Sequence, residues 1–134
     1  MRMVRRAVMV VGMLSAVFWL SCKDTVTEPG VSNVVFPDSN ISYSNQVDVL
    51  FQQSCVPGCH DSQVDDAGLD LERPSWSNLI NHQPALVVPR EANSSLLIER
   101  LDGRIPPVMP PSQPINTNQL NGIKKWINEG AQNN

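Results

Sequence analysis

Six consecutive residues, Cys55-Val56-Pro57-Gly58-Cys59-His60, concentrate the reactive side chains of this chain. Two thiols and an imidazole on one short stretch admit three chemistries. The thiols can add across the two vinyl groups of a porphyrin while the imidazole ligates its iron. Cys55, Cys59, His60 and His82 can instead form a four-ligand zinc site, since zinc favours thiolate and imidazole pairs at turn spacing. The two thiols can also close a disulfide. In the usual pattern for covalent haem two residues separate the cysteines; here there are three. Positions four apart still share one face of a helical turn, so both sulfurs reach the same ring edge. Pro57-Gly58 is a turn pair that absorbs the additional residue.

The elements that position this motif follow a leader. Arg2, Arg5 and Arg6 precede an apolar run over residues 7–20, which holds Val10, Val11, Leu14, Val17, Phe18, Trp19 and Leu20. A basic start, a short apolar core and a small residue before Cys22 describe an export signal over residues 1–21, too short for a comfortable membrane span. Trp19-Leu20-Ser21-Cys22 resembles a bacterial lipobox. That resemblance implies lipidation of Cys22 and a protein held on the outer side of a bacterial membrane, periplasmic or at the cell surface. Cys55 and Cys59 are then the only cysteines beyond Cys22, which suits an oxidising compartment.

The formal charge of −3 hides an asymmetry. Removing the three leader arginines from ten basic residues leaves seven against thirteen acidic ones, a charge of −6 from Cys22 onward. An acidic domain argues against nucleic acid or anionic lipid as the partner surface and favours a basic protein patch. Aromatic residues are only 5% of the chain, few for a domain of one small core, which leaves room for a bulky apolar group from outside the sequence.

From residue 22 to 40 the composition turns to Thr, Ser, Asn, Pro and Gly, with turn signals at Pro29-Gly30 and Pro37-Asp38, and predicts a flexible tether. Val34-Val35-Phe36 within it fits either a short edge strand or a segment packed on the domain. Four helices follow. Val47, Leu50 and Phe51 mark one face of a helix over 45–53 that leads straight into Cys55. Pro74 with Trp76, Leu79 and Ile80 predicts a short second helix, and Leu96, Leu97, Ile98 and Leu101 a third over 94–101. Thr117 is read as the cap of a helix over 118–129, with Leu120, Ile123, Trp126 and Ile127 along it and Gly130 as its stop. Between the third and fourth, Gly103-Arg104-Ile105-Pro106-Pro107-Val108-Met109-Pro110-Pro111 lacks the backbone donors for helix or central strand and must be a stiff loop. Gly122 weakens the last helix by about 1 kcal/mol relative to alanine. Close packing against another helix, the first being the natural candidate, is a reason to keep it.

Taken together, Ile41-Ser42-Tyr43-Ser44-Asn45, the Cys55–His60 motif, Gly68-Leu69-Asp70-Leu71, Pro89 with Ser95-Leu96-Leu97, Met109-Pro110-Pro111 and Trp126-Ile127-Asn128-Glu129-Gly130-Ala131 resemble the planctomycete-type cytochrome c domain over residues 41–132. The resemblance implies an all-α fold, a small cytochrome c domain of four or so short helices and long loops around one covalently attached haem c. Its first and last helices would cross beside the haem, and Cys55 and Cys59 would be the thioether attachment points. His60 would be the proximal ligand. Met109 lies in the segment that resembles the family's distal-ligand loop, and Met1, Met3, Met9 and Met13 all fall in the leader. Thioether ligation favours ferrous iron and raises the potential. His82 is the rival ligand. Arg90, Arg100 and Arg104 are candidates to pair with haem propionates, and Trp76 or Trp126 to donate an indole N–H to one.

The function this predicts is outer-sphere electron transfer to and from redox partner proteins, with no enzyme activity, because two protein ligands leave no open iron site. The competing classes are a haem sensor or peroxidase-like domain in which Met109 dissociates, and a haem-free zinc or disulfide-stabilised interaction lipoprotein.

Overall fold

The computed structural model describes residues 32–134. The export signal, Cys22 and residues 22–31 of the expected tether lie outside the described residues. Among the described residues the chain is all-α, with four α-helices and no strand. No helix among them is long and apolar enough to cross a membrane.

Ser42 opens the first helical stretch reciprocally. Its hydroxyl accepts from the Asn45 N–H, and the Gln46 side chain accepts from the Ser42 N–H at 2.9 Å. A single π-helical turn, Tyr43–Val47, runs directly into α1, Asp48–Ser54. Val47, Leu50 and Phe51 are each at most 1% exposed, so the predicted apolar face is the buried one. Short helices such as α2, Trp76–Asn81, and α3, Leu96–Leu101, form only because the core holds them. The third helix spans its apolar pattern but starts two residues later than the predicted 94–101. A 3-10 turn, Ala92–Ser94, precedes it, and extended Ser95 separates the two. The Ser95 hydroxyl accepts from the Val88 N–H and donates to the Glu91 carbonyl, each within about 3 Å, which spends it on the preceding loop.

The longest element, α4, Thr117–Asn128, is capped by Asn116 and not by Thr117. Asn116 accepts from the Gln119 N–H, and Gln119 accepts from the Asn116 N–H, each at 3.0 Å. This capping box satisfies two of the four backbone donors a helix start leaves orphaned. Ile123, Trp126 and Ile127 are fully buried and face the start of the first helix, where the Tyr43 and Trp126 rings lie 5.3 Å apart. Both indoles serve the chain's last residues: Trp76 Nε1 donates to the Ala131 carbonyl and Trp126 Nε1 to that of Gln132.

Gly122 is closely packed as its sequence context suggests, but its neighbour is Phe36. A Cβ at Gly122 would lie 2.1 Å from Phe36 Cγ. Phe36 is 3% exposed, and α4 holds its segment through several hydrogen bonds. Asn118 pairs with the Phe36 N–H and C=O at 2.9 and 3.2 Å, Gln119 Nε2 donates to the Ser32 carbonyl, and the Glu129 carboxylate accepts from Asn40 and Ile41. Residues 32–41 are therefore a docked strap where composition predicts free tether. Hydrogen bonds to α4 and to Glu129 just past it hold the backbone, while buried Phe36 and Ile41 and half-buried Val34 supply the apolar contact, so Val34-Val35-Phe36 is a segment packed on the domain and not an edge strand.

Candidate haem site

The Cys55–His60 loop begins where α1 stops. The Cys55 and Val56 N–H groups both donate to the Phe51 carbonyl, at 2.8 and 3.0 Å. The Cys59 N–H then returns to the Val56 carbonyl at 3.2 Å, closing a four-residue turn. Pro57 occupies its second place and Gly58 its third, with φ +74°. This order, proline then a positive-φ glycine, is the residue pattern of a type II turn. A second, wider bond from the His60 N–H to the Cys55 carbonyl spans the whole motif at 3.2 Å. The additional residue is thus taken up in the turn.

Asp61 braces that turn from outside. Its carboxylate accepts from the N–H groups of Gly58, Gln63 and Val64 at 3.2, 3.0 and 2.9 Å, and the Gln63 and Val64 bonds hold its pKa below the usual carboxylate range. An aspartate whose side chain bonds backbone N–H groups two and three residues on is a recognisable local signal, and it is the feature of this loop that the motif alone does not supply. The chain then folds back, with the Leu71 N–H donating to the His60 carbonyl at 2.8 Å.

His60 Nδ1 lies 3.1 Å from the Leu69 carbonyl. A carbonyl only accepts, so Nδ1 carries the proton and the Nε2 lone pair is left for a metal. Cys55 and Cys59 are unpaired, half-buried thiols. Burial, with a smaller contribution from Cys59 nearby, pushes the Cys55 thiol up to about 12. Met109 is half-buried against the core, in the proline-rich loop that leaves α3. Its N–H donates to the Arg100 carbonyl at 2.9 Å.

The other candidates are engaged elsewhere. His82 has Nδ1 3.1 Å from the Pro84 carbonyl and Nε2 3.3 Å from that of Ala67, so both ring nitrogens face backbone carbonyls. Among the described residues, no group of three or more His, Cys, Asp and Glu side chains is placed to hold a metal ion, so Cys55, Cys59, His60 and His82 are not assembled into a zinc site. Arg104 pairs with Asp102 and Glu99 at the end of α3, and Arg100 donates to the Pro106 carbonyl. Arg90 is exposed. Among the described residues, both tryptophan N–H groups, those of Trp76 and Trp126, are committed to the carbonyls already described. A polar concavity lined by Asn40, Ile41, Trp126, Glu129, Gln132 and Asn134 contains none of the motif residues.

The donor set fits a haem: two unpaired thiols and an imidazole of fixed tautomer stand at one helix end, and the single methionine thioether among the described residues is packed on the same core. These groups lie on an all-α frame among the described residues. Residues 55–113 match the family described as Planctomycete cytochrome C. The match starts at Cys55, ends beyond the Met109 loop and spans a little under half of the chain. That family implies haem-based electron transfer and is typically non-enzymatic. Neither the curated proteins nor the solved structures provide a match.

Proposed function

We propose that the protein is a single-haem electron carrier, with Cys55 and Cys59 as thioether attachment points, His60 as proximal ligand and Met109 as distal ligand. The observation that carries this reading is the His60 imidazole, fixed by the Leu69 carbonyl immediately after two unpaired thiols. Haem, when bound, supplies a one-electron iron couple. The chain's own residues do the rest. α1 and the braced Gly58 turn hold the thiols, the Leu69 carbonyl orients His60, and the proline-rich loop carries a neutral, soft ligand that favours the reduced state.

The partner is a protein with a basic patch. Five acidic residues, Asp61, Asp65, Asp66, Asp70 and Glu72, follow His60 before the first basic residue of the described chain, Arg73. This surface beside the attachment loop steers cationic partners. The carrier is exported and anchored through a lipidated Cys22. With residues 32–41 docked on α4, ten residues from Cys22 to position 31 remain as spacer and span at most ~35 Å. The domain therefore works close to its membrane.

The test is a pyridine haemochrome spectrum on protein from an exporting host, run beside a haem-stained denaturing gel. A c-type spectrum with haem retained through denaturation supports attachment at Cys55 and Cys59. The weak long-wavelength sulfur-to-iron charge-transfer band of the ferric protein, lost in Met109→Ala, supports the distal ligand. Correctly exported protein with no covalent haem would overturn the reading.

A further inference from the structure

The loop that carries Met109 is poor in ways of holding itself. Of its seven residues from Ile105 to Pro111, four are prolines, so only Ile105, Val108 and Met109 have a backbone N–H. Two of these donate back to the last turn of α3: Ile105 to the Glu99 carbonyl at 3.0 Å, and Met109 to the Arg100 carbonyl at 2.9 Å. The loop's carbonyls need a donor from elsewhere. Arg100 Nη1 supplies one to Pro106. Arg100 therefore grips the loop on both sides of Val108, through its guanidinium at Pro106 and its own carbonyl at Met109. Arg104, three residues past the end of α3, is occupied by Asp102 and Glu99 and by the Asn93 carbonyl.

We infer that Arg100 is a positioning residue for the distal ligand, holding the proline-rich loop at the height from which the Met109 thioether is presented. The inference rests on Met109 being the distal ligand. A neutral thioether is held to iron weakly, so the fraction of time it is bound depends on how far the loop is ordered beforehand. A charge-assisted hydrogen bond to a carbonyl is a strong constraint of this kind. A propionate role for Arg100 would require it to leave Pro106.

The experiment uses full-length, haem-loaded protein and its Arg100→Leu, Arg100→Lys and Arg104→Leu variants. Each is read by the charge-transfer band, by the rate of cyanide binding to the ferric form at neutral pH, and by haemochrome for haem content. Loss of the guanidinium bond should raise the cyanide rate on the order of tenfold and weaken the band, with haem content per protein unchanged. Arg100→Lys, with one compact donor, should fall between Arg100→Leu and wild type, and Arg104→Leu should match wild type. An Arg100→Leu protein with the wild-type band and rate would overturn the inference, as would an Arg104→Leu protein that behaves like Arg100→Leu. If Arg100→Leu yields no holoprotein, Arg100→Lys decides, and a wild-type rate there overturns it. A wild-type protein without the band refutes Met109 ligation itself, which separates that failure from a failure of Arg100.

Discussion

Gly122→Ala has opposite expected signs depending on whether residues 32–41 are strap or tether. On a bare helix surface, replacing a mid-helix glycine with alanine stabilises by about 1 kcal/mol. Here the new Cβ would lie 2.1, 2.2 and 2.5 Å from Cγ, Cδ1 and Cβ of Phe36, separations no packed pair of carbons adopts. The obstacle is the root of a ring buried to 3% exposure, so a rotamer change cannot clear it. Phe36 must leave its site, at the cost of truncating a buried phenylalanine, ~3–5 kcal/mol. Setting the helix gain against that loss predicts net destabilisation of ~2–4 kcal/mol. Urea unfolding should show this as a lower midpoint at nearly constant slope. In a Phe36→Ala background the same Gly122→Ala change should stabilise by about 1 kcal/mol, giving a coupling of ~3–5 kcal/mol between two residues 86 positions apart. A Gly122→Ala protein as stable as wild type, or more so, would refute the strap.

Three further outcomes follow from the same geometry. In haem-free protein at pH 8, Cys55 should be alkylated on the order of 10³ more slowly than a free cysteine, since a thiol pushed to about 12 is almost wholly protonated there and only thiolate reacts. Peptide mapping of iodoacetamide adducts checks this, and labelling of Cys55 at the free-cysteine rate would show an open site. Tyr43 donates to Ser75 at 2.6 Å, because the Ser75 hydroxyl proton is already committed to the Asp48 carboxylate, and burial pushes the phenol up to about 12. The folded state holds that proton more tightly than the unfolded one. The associated stability is complete below about pH 10 and lost as pH rises through 12. Melting temperatures from pH 8 to 12 should therefore converge for wild type and Tyr43→Phe, the variant starting ~1 kcal/mol less stable; parallel curves would contradict the hydrogen-bond chain. Asp61→Ala should speed amide exchange at Gly58, Gln63 and Val64. In wild type the same loosening should appear as pH falls below the usual carboxylate range, because the folded pKa is depressed. Exchange that ignores both changes would remove Asp61 from the loop's support.

The first-helix face was legible in sequence because spacing alone sets it: residues three and four apart share a side, and Val47, Leu50 and Phe51 are buried together. The turn at Pro57-Gly58 was legible for a different reason, since each residue carries a backbone restriction that names its place. The strap was not. Serine, asparagine and proline there match a tether in composition, and the segment is held by partners 82 to 89 residues away, which no local pattern encodes. Gly122 signalled a close approach without naming its neighbour, as a missing side chain must. At the site, His60 was evident from its place after Cys59, whereas the group that fixes its tautomer is a backbone carbonyl, invisible to any reading of side chains. Arg100 and Arg104 are alike in sequence. Their roles part only when the loop folds back and gives one a carbonyl and the other two carboxylates.

The strap also joins the two halves of the proposed haem site. The Ser32 hydroxyl donates to Gln53 Oε1 at 2.8 Å, two residues before Cys55, while the Ser32 carbonyl accepts from Gln119 in the first turn of α4 at 2.8 Å. One residue thus bridges the helix that delivers the attachment cysteines and the helix that receives the chain from the Met109 loop. Phe36, packed against Gly122 near the middle of α4, supplies an apolar anchor for that bridge. Without it, α4 would still meet the π-helical turn that leads into α1 through Tyr43 and Trp126, at the end away from Cys55. Contact at that end fixes the crossing of the helices but leaves the cysteine end with greater leverage. A small core with few aromatics gains most from a tie placed there, where the attachment loop needs a fixed base.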